Sequence, residues 1–139
     1  MIIDHIGIVV ESIEEASVYY ARHFGYAAEG APVTDPLQEA EVLLMRDEKG
    51  QAIELIRPTS PTSPISRAMK KGGGLNHVCY RVKDLAAASA HLEQLGAVSV
   101  RSARPAVLFG GRRVAFYFTR ANEIVELVEE QSPGTGGGK

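Results

Sequence analysis

Apolar and β-branched residues dominate residues 2–10, in alternating or continuous runs, and this pattern predicts a β-strand. Ser12 and Glu15 then have the spacing of a helix-capping box. Apolar side chains recur at helical spacing after this box until Gly25, a residue type that commonly ends helices. A strand followed by an amphipathic helix is therefore predicted at the start of the chain.

The pattern of the next segments predicts shorter elements. Residues 26–39 contain glycine and proline, which favours a short edge strand and a loop. Two apolar runs, 41–46 and 51–57, flank the turn sequence DEKG and predict a hairpin. The proline-rich segment that follows cannot continue a sheet, and it leads into a short helix, ISRAMKK, which ends at a run of three glycines.

The register of this hairpin decides which side chains share a face. A two-residue turn places Leu43 opposite Glu54, so that Glu41 shares the face of Glu54. A different turn length would reverse this assignment, because neighbouring strand residues point to opposite faces.

The second half of the chain repeats the elements of the first. Sliding the sequence by 72 places His5 on His77 and Glu54 on Glu126. The repeated elements are a strand over 75–82, a helix from Asp84 to Leu95, an edge strand over 97–101 and a hairpin of strands 113–119 and 123–129.

This order predicts an α+β fold of two tandem βαβββ units, which form a curled mixed sheet, or cup, with the helices on its outer face. We expect a single domain over 1–130, with units at 1–57 and 74–130 and a linker at 58–73. The low-complexity segment 131–139 is expected to be a disordered tail.

Composition and charge exclude several classes of function. The net charge of −2 and the absence of a basic stripe argue against nucleic acid or an anionic membrane as the main partner. One cysteine, Cys79, excludes an internal disulfide. Asp4 and His5 interrupt the apolar start, which therefore resembles neither a signal peptide nor a membrane span. We expect a cytoplasmic protein.

The repeated histidines and glutamates point to a metal ion. Their apolar neighbours are expected to face the helices, so the four polar side chains face the cup. A carboxylate buried in a strand needs a partner, because its desolvation is costly. Two imidazoles and two carboxylates suit one divalent ion such as Mn, Co, Ni, Fe or Zn. The alternative is four unrelated strand residues on a half-exposed surface, but four residues at one repeat offset favour the metal.

The segments HIGIVVESIEEA, GLNHVCYRVKDLAAA and VAFYFTRANEIVELVE together resemble the vicinal oxygen chelate superfamily. This superfamily includes glyoxalase I, methylmalonyl-CoA epimerase, extradiol dioxygenases and antibiotic-resistance proteins. The resemblance covers residues 2–130 and implies the paired βαβββ fold. It also implies a divalent metal bound by His5, Glu54, His77 and Glu126.

Within the superfamily, IELIRPTSPTSPISRAMKKGGGLNHVCYRV is most similar to methylmalonyl-CoA epimerases. The chain departs from those epimerases at Glu54, where they often carry glutamine, and in a shorter loop before Glu126. Glu41 matches their second catalytic glutamate only after a gap. Glyoxalase I has the same ligand set, yet Val9 and Pro58 stand where its glutathione-binding residues are expected. Extradiol dioxygenases use two histidines and one glutamate and are usually larger.

The resemblance implies a metal-dependent isomerase that abstracts an α-proton next to a thioester or another carbonyl, as in methylmalonyl-CoA epimerase. Glu126 and Glu41 are the candidate bases for the two faces of the substrate. The alternatives are a glyoxalase I-like lyase or a dioxygenase on the same metal site, and a non-catalytic small-molecule binding protein of the antibiotic-resistance type.

Two further residues are candidates for binding the substrate, which the resemblance suggests to be an acyl-CoA. Arg81 has the charge to bind a substrate carboxylate, although an ion pair with Asp84 is an equal alternative. Tyr117 is expected to face the cup under the same hairpin register, and its alternative is core packing with the hydroxyl at the rim. We expect a homodimer, and the sequence leaves open whether the site lies within one chain or is shared by two.

Overall fold

The computed structural model describes residues 1–131, so most of the predicted tail, 132–139, lies outside the described residues. The described chain forms nine strands and three helices, with a short 3-10 turn at Val107–Phe109. In chain order these are β1 Ile2–Val9, α1 Ile13–Phe24, β2 Ala27–Ala28, β3 Val33–Asp35, β4 Ala40–Arg46, β5 Ala52–Pro58, α2 Ser66–Lys70, β6 Gly74–Val82, α3 Leu85–Gln94, β7 Val98–Pro105, β8 Arg113–Phe118 and β9 Ile124–Glu129.

The chain divides into two compact units. The first unit is Asp4–Val78, and the second comprises Met1–Ile3 and the described residues from Cys79 onwards. The second unit has the predicted order of one helix and three further strands after β6. The first differs from the prediction, because two short strands, β2 and β3, stand where one edge strand was expected.

The two long helices begin where the sequence places their caps. The Ser12 hydroxyl accepts a hydrogen bond from the Glu15 backbone N–H at 3.1 Å. The Asp84 carboxylate accepts a hydrogen bond from the Ala87 backbone N–H at 3.0 Å. Gly25 ends α1 with a φ of 75°, a left-handed conformation that glycine adopts without a steric penalty.

The sheet of the first unit has the order β2-β4-β5-β1, and β3 also pairs with β4. β1 and β5 are parallel, whereas β4 is antiparallel to β2, β3 and β5. One face of this sheet packs against α1 through a core of buried apolar residues. These are Ile8, Ile13, Leu43, Met45, Ile53 and Leu55.

The β4–β5 register differs from the predicted one by one residue. Glu54 lies opposite Leu44, not Leu43, and Glu41 lies opposite Arg57. The reason is a three-residue loop in which the Asp47 N–H bonds to the Gln51 carbonyl at 3.0 Å. The third loop residue is Gly50, with a φ of 87°, which fits the hairpin class closed by a left-handed residue.

The prediction that Glu41 shares the face of Glu54 is therefore wrong. Glu41 lies on the helix-facing side of the hairpin, and its carboxylate accepts a bond from the Arg57 guanidinium at 3.1 Å. Glu41 therefore does not share the face of Glu54, the feature that made it a candidate second base.

The second unit contains an antiparallel sheet in the order β9-β8-β7. β7 is longer than predicted and has two register shifts against β8. The core beneath α3 is made of apolar residues from this helix, from β8 and β9 and from the end of β6. They are Val82, Leu85, Ala115, Tyr117, Val125 and Leu127.

Tyr117 belongs to this core and does not share a face with Glu126. It lies opposite Val125, whereas Glu126 lies opposite Phe116. The cause again is a three-residue loop, which ends at Asn122 with a φ of 61°. The Tyr117 hydroxyl donates a hydrogen bond to the Glu93 carboxylate of α3 at 2.8 Å. The expectation that Tyr117 faces a substrate from the Glu126 side is therefore wrong.

None of the described helices is long and apolar enough to cross a membrane.

The buried Tyr117 hydroxyl predicts a difference in alkaline stability. Burial raises the pKa of Tyr117, and the Glu93 carboxylate raises it further, against an opposing hydrogen bond with Ser89. The pKa of Tyr117 in the folded protein therefore exceeds its value of about 10 in the unfolded chain. The protonated side chain contributes fully to the free energy of unfolding below about pH 10, and this contribution disappears as the pH rises through the folded pKa. We expect wild type to lose more unfolding free energy between about pH 9 and pH 12 than the Tyr117→Phe variant.

Urea unfolding of the two proteins across this range measures the difference, and the other tyrosines cancel in the comparison. At pH 7 the variant is expected to be about 1–2 kcal/mol less stable, because the bond to Glu93 is lost. Parallel pH profiles for the two proteins would contradict the burial argument.

Candidate metal centre

Three polar side chains of the first unit converge on one point. They are His5 on β1, Glu54 on β5 and His77 on β6. The Nε2 atoms of the two histidines lie 3.4 Å apart. Glu54 Oε1 lies 3.6 Å from Nε2 of His5 and 3.5 Å from Nε2 of His77. One carboxylate and two imidazoles therefore face each other at nearly equal distances.

The parallel pairing of β1 with β5 explains why two of these residues meet. His5 is paired with Ala52 and Gly7 with Glu54, so His5 and Glu54 lie on one face of the sheet, two residues apart along the strands. The same face carries the buried side chains of Val42, Leu44 and Ile56. His5 and Glu54 therefore lie beside these buried apolar side chains.

Burial makes this arrangement costly unless a cation or hydrogen bonds compensate it. His5 is 0% exposed, Glu54 7% and His77 5%. Removal of a neutral polar group from water without a compensating hydrogen bond costs of the order of 2–7 kcal/mol. An uncompensated ionised carboxylate costs more. The site has the features of a binding place for positive charge.

The separations fit a metal ion better than they fit direct hydrogen bonds. Distances of 3.4–3.6 Å exceed the usual 2.7–3.2 Å of a well-formed hydrogen bond. Ligands bound at about 2.0–2.1 Å from one ion lie about 3.0–3.4 Å from each other. Two imidazole nitrogens and a carboxylate oxygen also suit borderline divalent ions. The residues present therefore fit the divalent metal that the sequence predicts.

The other nitrogen of each imidazole contacts the residue that precedes it in the chain. Nδ1 of His5 lies 2.9 Å from the Asp4 carboxylate, and Nδ1 of His77 lies 2.8 Å from the Asn76 amide oxygen. Asp4 and Asn76 were not predicted from the sequence to belong to the site. A signal was present, because they too are separated by 72 residues.

The remaining predicted site residues lie in the second unit. Glu126 is on β9 and is 4% exposed. Arg81 is half-buried on β6, and Tyr117 is in the core beneath α3. The metal role of Glu126 and the substrate role of Arg81 stay predictions.

Comparisons with known proteins identify the family of this chain. A family model described as the Glyoxalase/Bleomycin resistance protein/Dioxygenase superfamily matches residues 4–116. An ethylmalonyl-CoA/methylmalonyl-CoA epimerase of Cereibacter sphaeroides is 33% identical over 116 residues, which cover 82% of this chain and 85% of the relative. The uncharacterized protein YqjC of Bacillus subtilis is 31% identical over 136 residues, which cover 91% of each chain.

The fold agrees with a solved structure as well. The crystal structure of methylmalonyl-CoA epimerase from Mycobacterium tuberculosis superposes with a TM-score of 0.82 at 25% identity, covering 96% of this chain and 91% of that one. The fold class predicted from the sequence is confirmed by this match. The chain belongs to the Glyoxalase/Bleomycin resistance protein/Dioxygenase superfamily and is an epimerase-like enzyme within it.

Proposed function

We propose that this protein is a metal-dependent epimerase that moves the α-proton of an acyl-CoA of the methylmalonyl-CoA type. The observation that carries the proposal is the convergence of His5, Glu54 and His77 in a chain whose relative from Cereibacter sphaeroides is an ethylmalonyl-CoA/methylmalonyl-CoA epimerase. The homodimer expected from the sequence stays a prediction.

His5, Glu54, His77 and Glu126 are the proposed ligands of one divalent ion. The first three are supported by their distances, and Glu126 is supported by its burial and by its repeat position, 72 residues after Glu54. When bound, such an ion acts as a Lewis acid that polarises a carbonyl oxygen and stabilises developing negative charge. Manganese, cobalt, nickel, iron and zinc all suit the donor set.

Glu126 is the proposed base for the α-proton. It is buried on β9, and as a displaceable ligand of the proposed ion its carboxylate would be close enough to the substrate to accept the proton. Arg81 is the proposed partner of a substrate carboxylate, since a half-buried guanidinium binds carboxylates through two parallel bonds. Glu41 is not proposed, because it pairs with Arg57 on the helix-facing side.

Three other functions could use the same residues and are distinguished by simple measurements. A glyoxalase I-like lyase would convert a hemithioacetal without exchange at a malonyl-type carbon. A dioxygenase would consume O2 when loaded with iron. A non-catalytic binding protein would bind its ligand without turnover. The converging ligand triad favours an enzyme over simple binding, because open metal positions serve catalysis.

Metal content tests the ligand assignment directly. We expect about one equivalent of divalent metal per chain in tag-free wild-type protein and a loss of at least tenfold in the His77→Ala variant, because one of four ligands is removed. Elemental analysis after dialysis against a chosen ion measures this. His91→Ala is the matched control, since His91 is exposed on α3, and it should keep its metal. Equal metal content in all three proteins would contradict the assignment.

Proton exchange tests the reaction. In deuterated water, metal-loaded wild type is expected to exchange the α-proton of methylmalonyl-CoA, as followed by NMR or mass spectrometry. Glu126→Gln keeps an oxygen ligand but cannot accept the proton, so we expect a decrease in exchange rate of about 10²–10⁴-fold with metal still bound.

The exposed Glu123, in the loop before β9, supplies the matched control Glu123→Gln, which should exchange like wild type. No exchange by fully loaded wild type would exclude the epimerase proposal. Full exchange by Glu126→Gln would assign the base to another residue.

A further inference from the structure

We propose that Asp4 and Asn76 are positioning residues that fix the tautomers of His5 and His77, and that their different charges make the two histidines unequal ligands. The inference concerns the metal centre of the proposed function and rests on it for its role in the enzyme. Its first test needs neither metal nor substrate.

The Asp4–His5 and Asn76–His77 pairs have similar geometry. Asp4 Oδ2 lies 2.9 Å from Nδ1 of His5, and Asn76 Oδ1 lies 2.8 Å from Nδ1 of His77. In both rings the opposite nitrogen, Nε2, faces Glu54. The two pairs are equivalent under the repeat, because Asp4 and Asn76 are separated by the same 72 residues as the histidines.

A neutral imidazole has one nitrogen that carries an N–H donor and one nitrogen that carries a lone pair. A carboxylate oxygen and an amide oxygen are acceptors, so each requires the N–H to be on Nδ1. The lone pair of each ring is then on Nε2, where a metal ion would be bound. Acceptors of this kind orient metal-binding histidines and raise their basicity.

The two acceptors, Asp4 and Asn76, differ in charge. The Asp4 carboxylate carries a negative charge and lies against a fully buried ring, whereas Asn76 is neutral. A charged acceptor increases the electron density of the imidazole more than a neutral one does. His5 is therefore the stronger donor, and removal of the Asp4 charge should weaken metal binding more than removal of the Asn76 acceptor.

The first experiment measures the tautomers without metal or substrate. Nitrogen-15 NMR of the imidazole rings in metal-free protein, at mildly alkaline pH, is expected to show both His5 and His77 protonated at Nδ1. Asp4→Leu should change this signature for His5 alone, and Asn76→Leu for His77 alone. Protonation at Nε2 in wild type, or unchanged spectra in both variants, would overturn the proposal.

The second experiment measures cobalt affinity by competition with a chelator. We expect Asp4→Leu to weaken binding about 10–100-fold, Asp4→Asn to weaken it less and Asn76→Asp to strengthen it. Glu48→Gln, which removes one charge in the exposed hairpin loop, is the control for net charge and should bind like wild type. Equal affinities of Asp4→Leu, Asp4→Asn and wild type would overturn the ranking.

The two experiments separate the two proposals. If wild type binds no metal but has Nδ1-protonated rings that depend on Asp4 and Asn76, the proposed function fails and the positioning role stands. If wild type binds metal but its tautomers do not depend on these residues, the positioning role fails and the metal site stands.

A different observation identifies Gly7 as a second kind of positioning residue. A Cβ atom at Gly7 would lie 2.1 Å from Cε1 of His77 and 2.4 Å from its Nδ1, far inside van der Waals contact. Gly7 is not among the glycines with positive φ, so its backbone does not require glycine. We infer that glycine is required here because the His77 ring occupies the volume of the missing side chain.

A double-mutant cycle tests this inference. In the wild-type background, Gly7→Ala is expected to weaken cobalt binding at least 100-fold and to lower the urea concentration at the unfolding midpoint. In the His77→Ala background, where the ring is gone, the same substitution should change the midpoint little. The inference is overturned if Gly7→Ala binds cobalt like wild type. Equal midpoint shifts in the two backgrounds, or failure to fold in both, would overturn it too.

Discussion

The burial of one carboxylate and two imidazoles on an apolar sheet face is the constraint on which the rest of this site depends. Glu54, His5 and His77 are almost completely removed from solvent, and their mutual distances are too long for well-formed hydrogen bonds. Such a set is costly in a protein interior unless a cation compensates it. A divalent ion would relieve this cost and would also supply the Lewis acidity that the proposed α-proton chemistry needs. The same physical requirement thus connects stability to the proposed reaction.

The two hairpins decide which side chains reach the site. Each closes with a three-residue loop whose last member, Gly50 or Asn122, adopts a left-handed conformation. This extra residue moves the register by one position and reverses every face of the preceding strand relative to a two-residue turn. Glu41 and Tyr117 are thereby placed on the helix-facing sides of their sheets. The two loops have the same length, so the two-residue turn expected from the sequence gives the wrong face for Glu41 and for Tyr117.

The superfamily sets the limits of the functional conclusion. Its fold supports isomerases, lyases, dioxygenases and binding proteins, so the fold by itself does not select a reaction. The convergence of His5, Glu54 and His77 supports the proposal of a metal enzyme, and the relatives with epimerase names support the proposal of proton transfer at an acyl-CoA. The proposed positioning residues, Asp4 and Asn76, would add a level of control. A charged acceptor beside His5 and a neutral acceptor beside His77 would allow these two imidazoles to bind one ion with different strengths.

The sequence by itself determined most of the helices and strands, and it predicted the candidate ligands His5, Glu54, His77 and Glu126. Helix caps at Ser12 and Asp84 are local features, and the repeat offset of 72 identifies equivalent histidines and glutamates without any coordinates. Only the tertiary structure decided the hairpin registers, the contacts behind the histidines and the space that Gly7 leaves for a ring. The physical reason is that caps and periodicity depend on residues a few positions apart. Strand registers depend on the loop conformation, and close approaches depend on strands that are distant in the chain, so neither is encoded in a local pattern.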